Sequence, residues 1–248
     1  MLLEGRNAVI YGGGGSVGSA VAEAFAREGA RVHVTGRNSG PVEAVAGRIR
    51  DAGGMVETAI VDALNETAVD AHADAVVSRF GSLDISFNLI RHGVVQGTPL
   101  VEMSADDFEQ PVHAAVRTMF LTTRAAARHM IKQGSGVILV FGGYGDPPRG
   151  YNLGALQVAF QAQEALRRNL AAELGPHGVR VLTIQTSGIV DTLPEGMKEI
   201  ADSIAQTTLL GRGGTRADVA NAAVFAASDQ AAAMTGTKLN ISAGTTID

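Results

Sequence analysis

Cysteine and tryptophan are absent from this chain of 248 residues, and aromatic side chains make up only 4% of it. Without cysteine there can be no disulfide and no thiolate nucleophile or metal ligand. With so few rings, the 46% hydrophobic share must form a core of Ala, Val, Leu and Ile. Lysine occurs only at Lys132, Lys198 and Lys238, no basic run is present, and the formal charge is −5. That balance argues against nucleic acid as a main partner. No stretch approaches the roughly 18 apolar residues that a bilayer span requires. The opening MLLEGRNAVIYGGGG lacks a charged start followed by a long apolar stretch, so no signal peptide is expected. The expectation is a cytoplasmic protein with a small-molecule ligand, no nucleic acid and no membrane.

Short apolar runs alternate with longer Ala-rich segments of helical spacing. Strands are expected at 7–12, 31–36, 56–63, 83–90, 136–143, 179–188 and 238–244, and helices at 17–29, 41–53, 65–80, 105–132, 155–175 and 216–228. Alternation of this kind implies an α/β fold: one doubly wound parallel sheet with helices on both faces. No repeat, low-complexity tract or linker interrupts the chain, so a single domain over residues 1–248 is expected. No run has the spacing of metal ligands, and no metal is expected.

Between the first strand and first helix stands YGGGGSVG, residues 11–18. Glycine there permits a tight turn and close backbone approach, and a helix N-terminus offers free N–H groups to a pyrophosphate. Gly12, Gly15, Ser16, Val17 and Gly18 are the candidate phosphate-binding residues. The second strand ends in TGRNSG, with Arg37 and Asn38 where nucleotide-binding folds usually carry a carboxylate for the ribose. A guanidinium at that point suits a 2′-phosphate, so NADP(H) is expected over NAD(H).

Taken together, these segments resemble the short-chain dehydrogenase/reductase family, whose fold is of the Rossmann type, over essentially the whole chain. Tyr11-Gly12, Ser16 and Gly18 stand in the places of its glycine motif, with Ser16 for the middle glycine. Asp62-Ala63 looks like the pair that contacts adenine in the family. FGSLDISFNLI resembles the segment ending in Asn-Asn-Ala-Gly, of which Asn88 is kept and Leu89, Ile90 and Arg91 follow. TSGIVDT, residues 186–192, is similar to the Pro-Gly-x-x-x-Thr segment, with Ser187 for proline, Ile189 within it and Thr192 kept. AAELGPHGVRV and the tail from LLGRGG onward match in pattern and spacing.

The resemblance implies hydride transfer between nicotinamide and a carbonyl or alcohol carbon. In the family a tyrosine acts as acid or base, and a lysine four residues later lowers its pKa and holds the ribose. A serine polarises the carbonyl and an asparagine orders a relay water. Counted along the matching segments, these four positions fall on Leu156, Phe160, Gly143 and Ala115. None bears an ionisable or hydrogen-bonding side chain, and no lysine lies between 133 and 197. The catalytic residues are therefore unknown. Tyr144 and Tyr151 are substitute candidates, needing a cation such as Arg91 or Arg149 to work at neutral pH. His92 and His113 could carry protons near the pocket.

Three functions stay open on these grounds. One is an NADP(H)-dependent oxidoreductase with a non-standard site. A second is a catalytically inactive relative that binds a nucleotide or metabolite. The third is a non-redox enzyme reusing the pocket. Segment 189–212 corresponds to the family's variable substrate lid. The resemblance also implies a homotetramer or homodimer joined through the two long helices, where alanines such as those in RAAARHM would permit close contact.

Overall fold

In the computed structural model, residues 1–143, 152–194 and 196–247 are described. Seven strands form one sheet: β1 (Asn7–Tyr11), β2 (Arg31–Gly36), β3 (Met55–Ile60), β4 (Ile85–Asn88), β5 (Gly136–Gly142), β6 (Val179–Thr186) and β7 (Thr237–Ile241). Their spatial order is β3-β2-β1-β4-β5-β6-β7, and every pairing is parallel. The order reverses between β1 and β4. Such a switch leaves a crevice at the carboxyl ends of the strands, where ligands of open α/β sheets bind.

Alternate residues of each strand build two cores. Ala8 and Ile10 of β1 join Val32, Val34, Phe87 and Leu139 on one face, beneath α1 (Ser16–Arg27), α2 (Ser39–Asp51) and α7 (Arg216–Ala227). Val9 and Tyr11 point the other way, with Ile138 and Val181, beneath α3 (Glu66–Phe80), α4 (Ala105–Gln133) and α5 (Leu156–Leu174). Covered on both sides, the central strands read as apolar runs rather than alternating ones. All five residues of β1 are buried.

Helix boundaries follow local chemistry. Ser104 accepts from Asp107 N at 3.1 Å to start α4, and Gly134 in the left-handed region ends it. Thr215 and Asp218 form a reciprocal capping box on α7. The Arg212 guanidinium, 2.7 Å from Asp218, holds that carboxyl down at about 2. Segment 189–212 contains a helix outside the expected set, α6 (Lys198–Gln206). It is short, and its Ile204 packs on Gly188 and Gly213. No described helix is long and apolar enough to cross a membrane.

Ala125, Ala126 and Ala127 of α4 are buried in the chain's own core, packed on the sheet side, while Ala165 and Ala172 of α5 are exposed. The large apolar side chains exposed on the two long helices are Phe120, Ile131 and Val158.

Candidate active site

The glycine loop leaves β1 and turns at once. Gly12 N and Gly13 N both donate to Thr35 O of β2, at 3.1 and 3.0 Å, and Gly15 N donates back to Gly12 O at 3.0 Å. Gly12 sits at φ +79°, where a Cβ would stand 2.7 Å from Leu89 O. A Cβ on Gly18 would overlap Gly12 O and lie 2.9 Å from Gly13 Cα, so helix and loop touch backbone to backbone. Gly15 caps α1 without a side chain, and its first turn holds no acidic residue. The positive end of the helix and its first N–H groups, at Ser16, Val17 and Gly18, therefore stay available to an anion.

At the end of β2, Arg37 and Asn38 are exposed, and Asn38 caps α2 without a side-chain bond. Past β3, Asp62 is exposed and accepts from Leu64 N at 3.1 Å, while Ala63 is buried. Asn88, at the end of β4, is buried; it donates to Thr122 Oγ1 of α4 at 3.2 Å and accepts from Ile90 N at 3.0 Å. Ile189 bridges to Gly214, and Thr192 turns its hydroxyl back onto Ile189 O at 2.7 Å. Ser187, in the proline's place, is hydrogen-bonded to the chain end through Ser242 O and Thr245 Oγ1. These residues lie at the carboxyl ends of their strands, around the switch point. The glycine loop, the open helix end and Arg37 fit the adenosine and pyrophosphate part of a dinucleotide.

The reacting end differs in chemistry. Gly143 follows β5 directly, while Leu156 and Phe160 stand on the first turns of α5, both half-buried. Ala155 and Ala159 beside them are fully buried, and Ala115 is fully buried on α4. A Cβ built on Gly143 would overlap Phe160 Cε2 and lie 2.6 Å from its Cζ. The rings of His92 and Phe160 meet edge to face, with centroids 6.3 Å apart. Burial pushes the His92 imidazole down to about 4, so it is neutral at pH 7.

Of the two histidines considered, only His92 is near this point. His113 is exposed on the outer face of α4, in a groove with Phe108, Val112 and Phe120. Asp191 is held by Arg216, at 3.0 Å. Tyr144, Tyr151 and Arg149 lie outside the described residues. Among those that are described, no three acidic or histidine side chains gather as a metal site would need. A hollow at the opposite end of the strands, near Arg6 and Asp84, contains Arg180. That guanidinium donates to Ala226 O and Ser228 O at the end of α7 and to Met234 O ahead of β7, which accounts for it as a clamp.

A doubly wound parallel sheet with a glycine loop at its switch point defines a nucleotide-binding α/β protein. The chain belongs to the short-chain dehydrogenase/reductase family. A family profile described as Enoyl-(Acyl carrier protein) reductase matches residues 13–246. The chain is 31% identical over 244 residues to a 7alpha-hydroxysteroid dehydrogenase of Escherichia coli (strain K12), covering 98% of this chain and 94% of that one. A short-chain type dehydrogenase/reductase from Mycobacterium ulcerans superposes with a TM-score of 0.91 at 27% identity, over 99% and 91% of the two chains. A gluconate 5-dehydrogenase from Burkholderia cenocepacia J2315, solved in complex with NADP and tartrate, superposes with a TM-score of 0.88 at 25% identity, over 98% and 96%.

Proposed function

We propose that the chain binds NADP(H) in the crevice between β1 and β4 and is an oxidoreductase of a small carbonyl or alcohol, working without the usual Tyr–Lys dyad. The observation that carries this is the bare cradle: Gly12 and Gly18 leave no side chain between the loop and an uncapped helix end. Gly12, Gly15, Ser16, Val17 and Gly18 would hold the pyrophosphate. Arg37 with Asn38 would hold the 2′-phosphate, Asp62 with Ala63 the adenine, and Asn88, Ile189 and Thr192 the nicotinamide end. When bound, the cofactor supplies the hydride chemistry; the chain's own residues orient it and exclude water. The NADP complex of the gluconate 5-dehydrogenase supports the choice of NADP(H).

A second reading, a nucleotide-binding relative without turnover, is favoured by Phe160 lying where a residue-143 side chain would lie. Loss of general acid or base catalysis alone costs typically about 10²–10⁴-fold, so slow turnover and none are separable. Titrating NADPH and NADH while following nicotinamide fluorescence tests the binding. A carbonyl panel with NADPH consumption then tests the chemistry. No binding at millimolar NADPH refutes both readings. Binding without consumption leaves the second.

The assembly proposed is a homotetramer or homodimer through α4 and α5, where Phe120, Ile131 and Val158 are exposed. Light scattering on a size-exclusion column checks it, and a clean monomer refutes it.

A further inference from the structure

Gly143, Phe160 and His92 come from three separate segments: the end of β5, the second turn of α5 and the loop after β4. They meet beside the switch point. The space in front of Gly143 Cα is filled. Phe160 Cζ and Cδ2 would be 2.6 and 2.7 Å from a Cβ there, closer than carbon atoms tolerate. Ring positions on a helix are few, because χ1 is confined to two wells, so Phe160 has little room to swing aside. His92 stands edge-on to the same ring and carries no charge at neutral pH.

We propose that Phe160 is the specificity-determining residue of this cleft. Its ring takes the volume of a residue-143 side chain and narrows the end that the nicotinamide half of a dinucleotide would enter. The proposal rests on the reading that the cleft binds NADP(H). Two consequences follow from the packing. Positions 143 and 160 are coupled, so a hydroxyl cannot be placed at 143 while the ring is present. A ligand reaching this end meets an aromatic ring and a neutral imidazole; no side chain of the trio offers charge, so flat apolar groups are favoured over charged ones.

If Phe160 merely fills core space, substitutions there change stability but not the balance between ligands. If it narrows the cleft, they change affinity for NADPH relative to adenosine 2′,5′-bisphosphate, which has no nicotinamide half. The experiment measures both affinities by calorimetry, with thermal unfolding alongside, for the wild type, Phe160→Ala, Gly143→Ser and the double variant. Phe160→Ala is expected to tighten NADPH by about fivefold or more, leaving the bisphosphate within about twofold. Gly143→Ser alone is expected to melt lower and to weaken NADPH about tenfold. In the double variant both losses disappear, which is the signature of coupling. Phe160→Leu, which keeps apolar bulk, provides the same ordering if the alanine variant does not fold. Parallel shifts for the two ligands, or a serine at position 143 tolerated equally with and without the phenyl ring, overturn the proposal alone. Failure of every variant to bind the bisphosphate overturns the NADP(H) reading and the proposal with it.

Discussion

The Asn88 side chain joins β4 to α4 by donating to Thr122 Oγ1 at 3.2 Å, while its own oxygen accepts from Ile90 N at 3.0 Å. Thr122 in turn donates to Thr118 O at 2.8 Å, so the chain of bonds runs from the strand end into the helix. Asn88 thus sets the path of the segment that leads to His92. Asn88→Ala leaves Ile90 N without its acceptor in a half-buried place. Stability should fall by about 1–2 kcal/mol, lowering Tm by about 2–8 °C. NADPH affinity should fall with it. A variant with unchanged Tm and affinity would contradict this role.

Two glycines inside helices should respond in opposite ways to alanine. Gly18 has no room, since its Cβ would overlap Gly12 O. Gly18→Ala is expected to push the loop away from α1 and weaken nucleotide binding by about tenfold or more. Gly47, inside α2, faces open space: a Cβ there would meet nothing within 4 Å. Gly47→Ala should raise stability by about 0.5–1 kcal/mol through helix propensity. Thermal unfolding and NADPH titration on the pair check both signs.

Arg37 is the test of cofactor choice. Exposed just past the end of β2, it is the residue proposed above to hold a 2′-phosphate. Arg37→Gln should weaken NADPH by about ten- to a hundredfold, the worth of a charge-assisted bond of about 1.5–3 kcal/mol. NADH should be nearly indifferent. The wild-type preference should also shrink as salt rises, because the contact is exposed. Equal losses for the two cofactors would remove Arg37 from the recognition of the 2′-phosphate.

Much of this arrangement was legible in the sequence. β1, β2 and β5 end within one residue of their expected limits, because buried parallel strands are uninterrupted apolar runs. The glycine loop was legible because tight turning and close approach both demand glycine. Helix α6 was not, being short, with none of its residues fully buried. His92 and His113 looked alike in one dimension; only the folded chain separates a ring against Phe160 from one on an outer helix face. Sequence spacing could show that positions 143 and 160 lack polar groups. That the phenyl ring fills the glycine's empty side is a fact of packing between distant segments.

Acid should destabilise the protein well before the carboxylates titrate. His33 is buried on β2 with Nε2 unpartnered among the described residues, 5.0 Å from Phe80 between ring centroids and 6.4 Å from His72. Burial first, then His72, Arg31 and Arg79, push His33 down to about 4; burial alone does the same to His72. A base whose folded pKa lies below its unfolded value leaves the unfolded chain binding the proton first. Stability is therefore complete above pH 6.5 and is lost as pH falls from 6.5 towards 4. For His33 the loss approaches about 3 kcal/mol. His33→Leu removes an unpartnered polar atom, so it should match wild type near pH 7 and outlast it near pH 5. Parallel Tm-against-pH curves would rule this out.

Beneath Phe160 on α5, Glu164 and Arg167 form an almost fully enclosed ion pair, Nη2 to Oε2 at 2.9 Å, and the Thr183 hydroxyl of β6 donates to the same carboxylate. Among the described residues, Arg167 Nη1 has no partner. Desolvating both charges takes back most of what their attraction provides, so the pair need not add net stability. The consequence is an asymmetry between single and double substitution. Glu164→Leu strands a buried guanidinium and should cost about 3–5 kcal/mol. Glu164→Leu with Arg167→Met should recover most of that loss, since the apolar pair needs no partner and loses only the bond from Thr183. Chemical denaturation of the single and double variants measures the difference. A double variant no more stable than the single would mean that the ion pair, rather than the packing around it, holds α5 against β6.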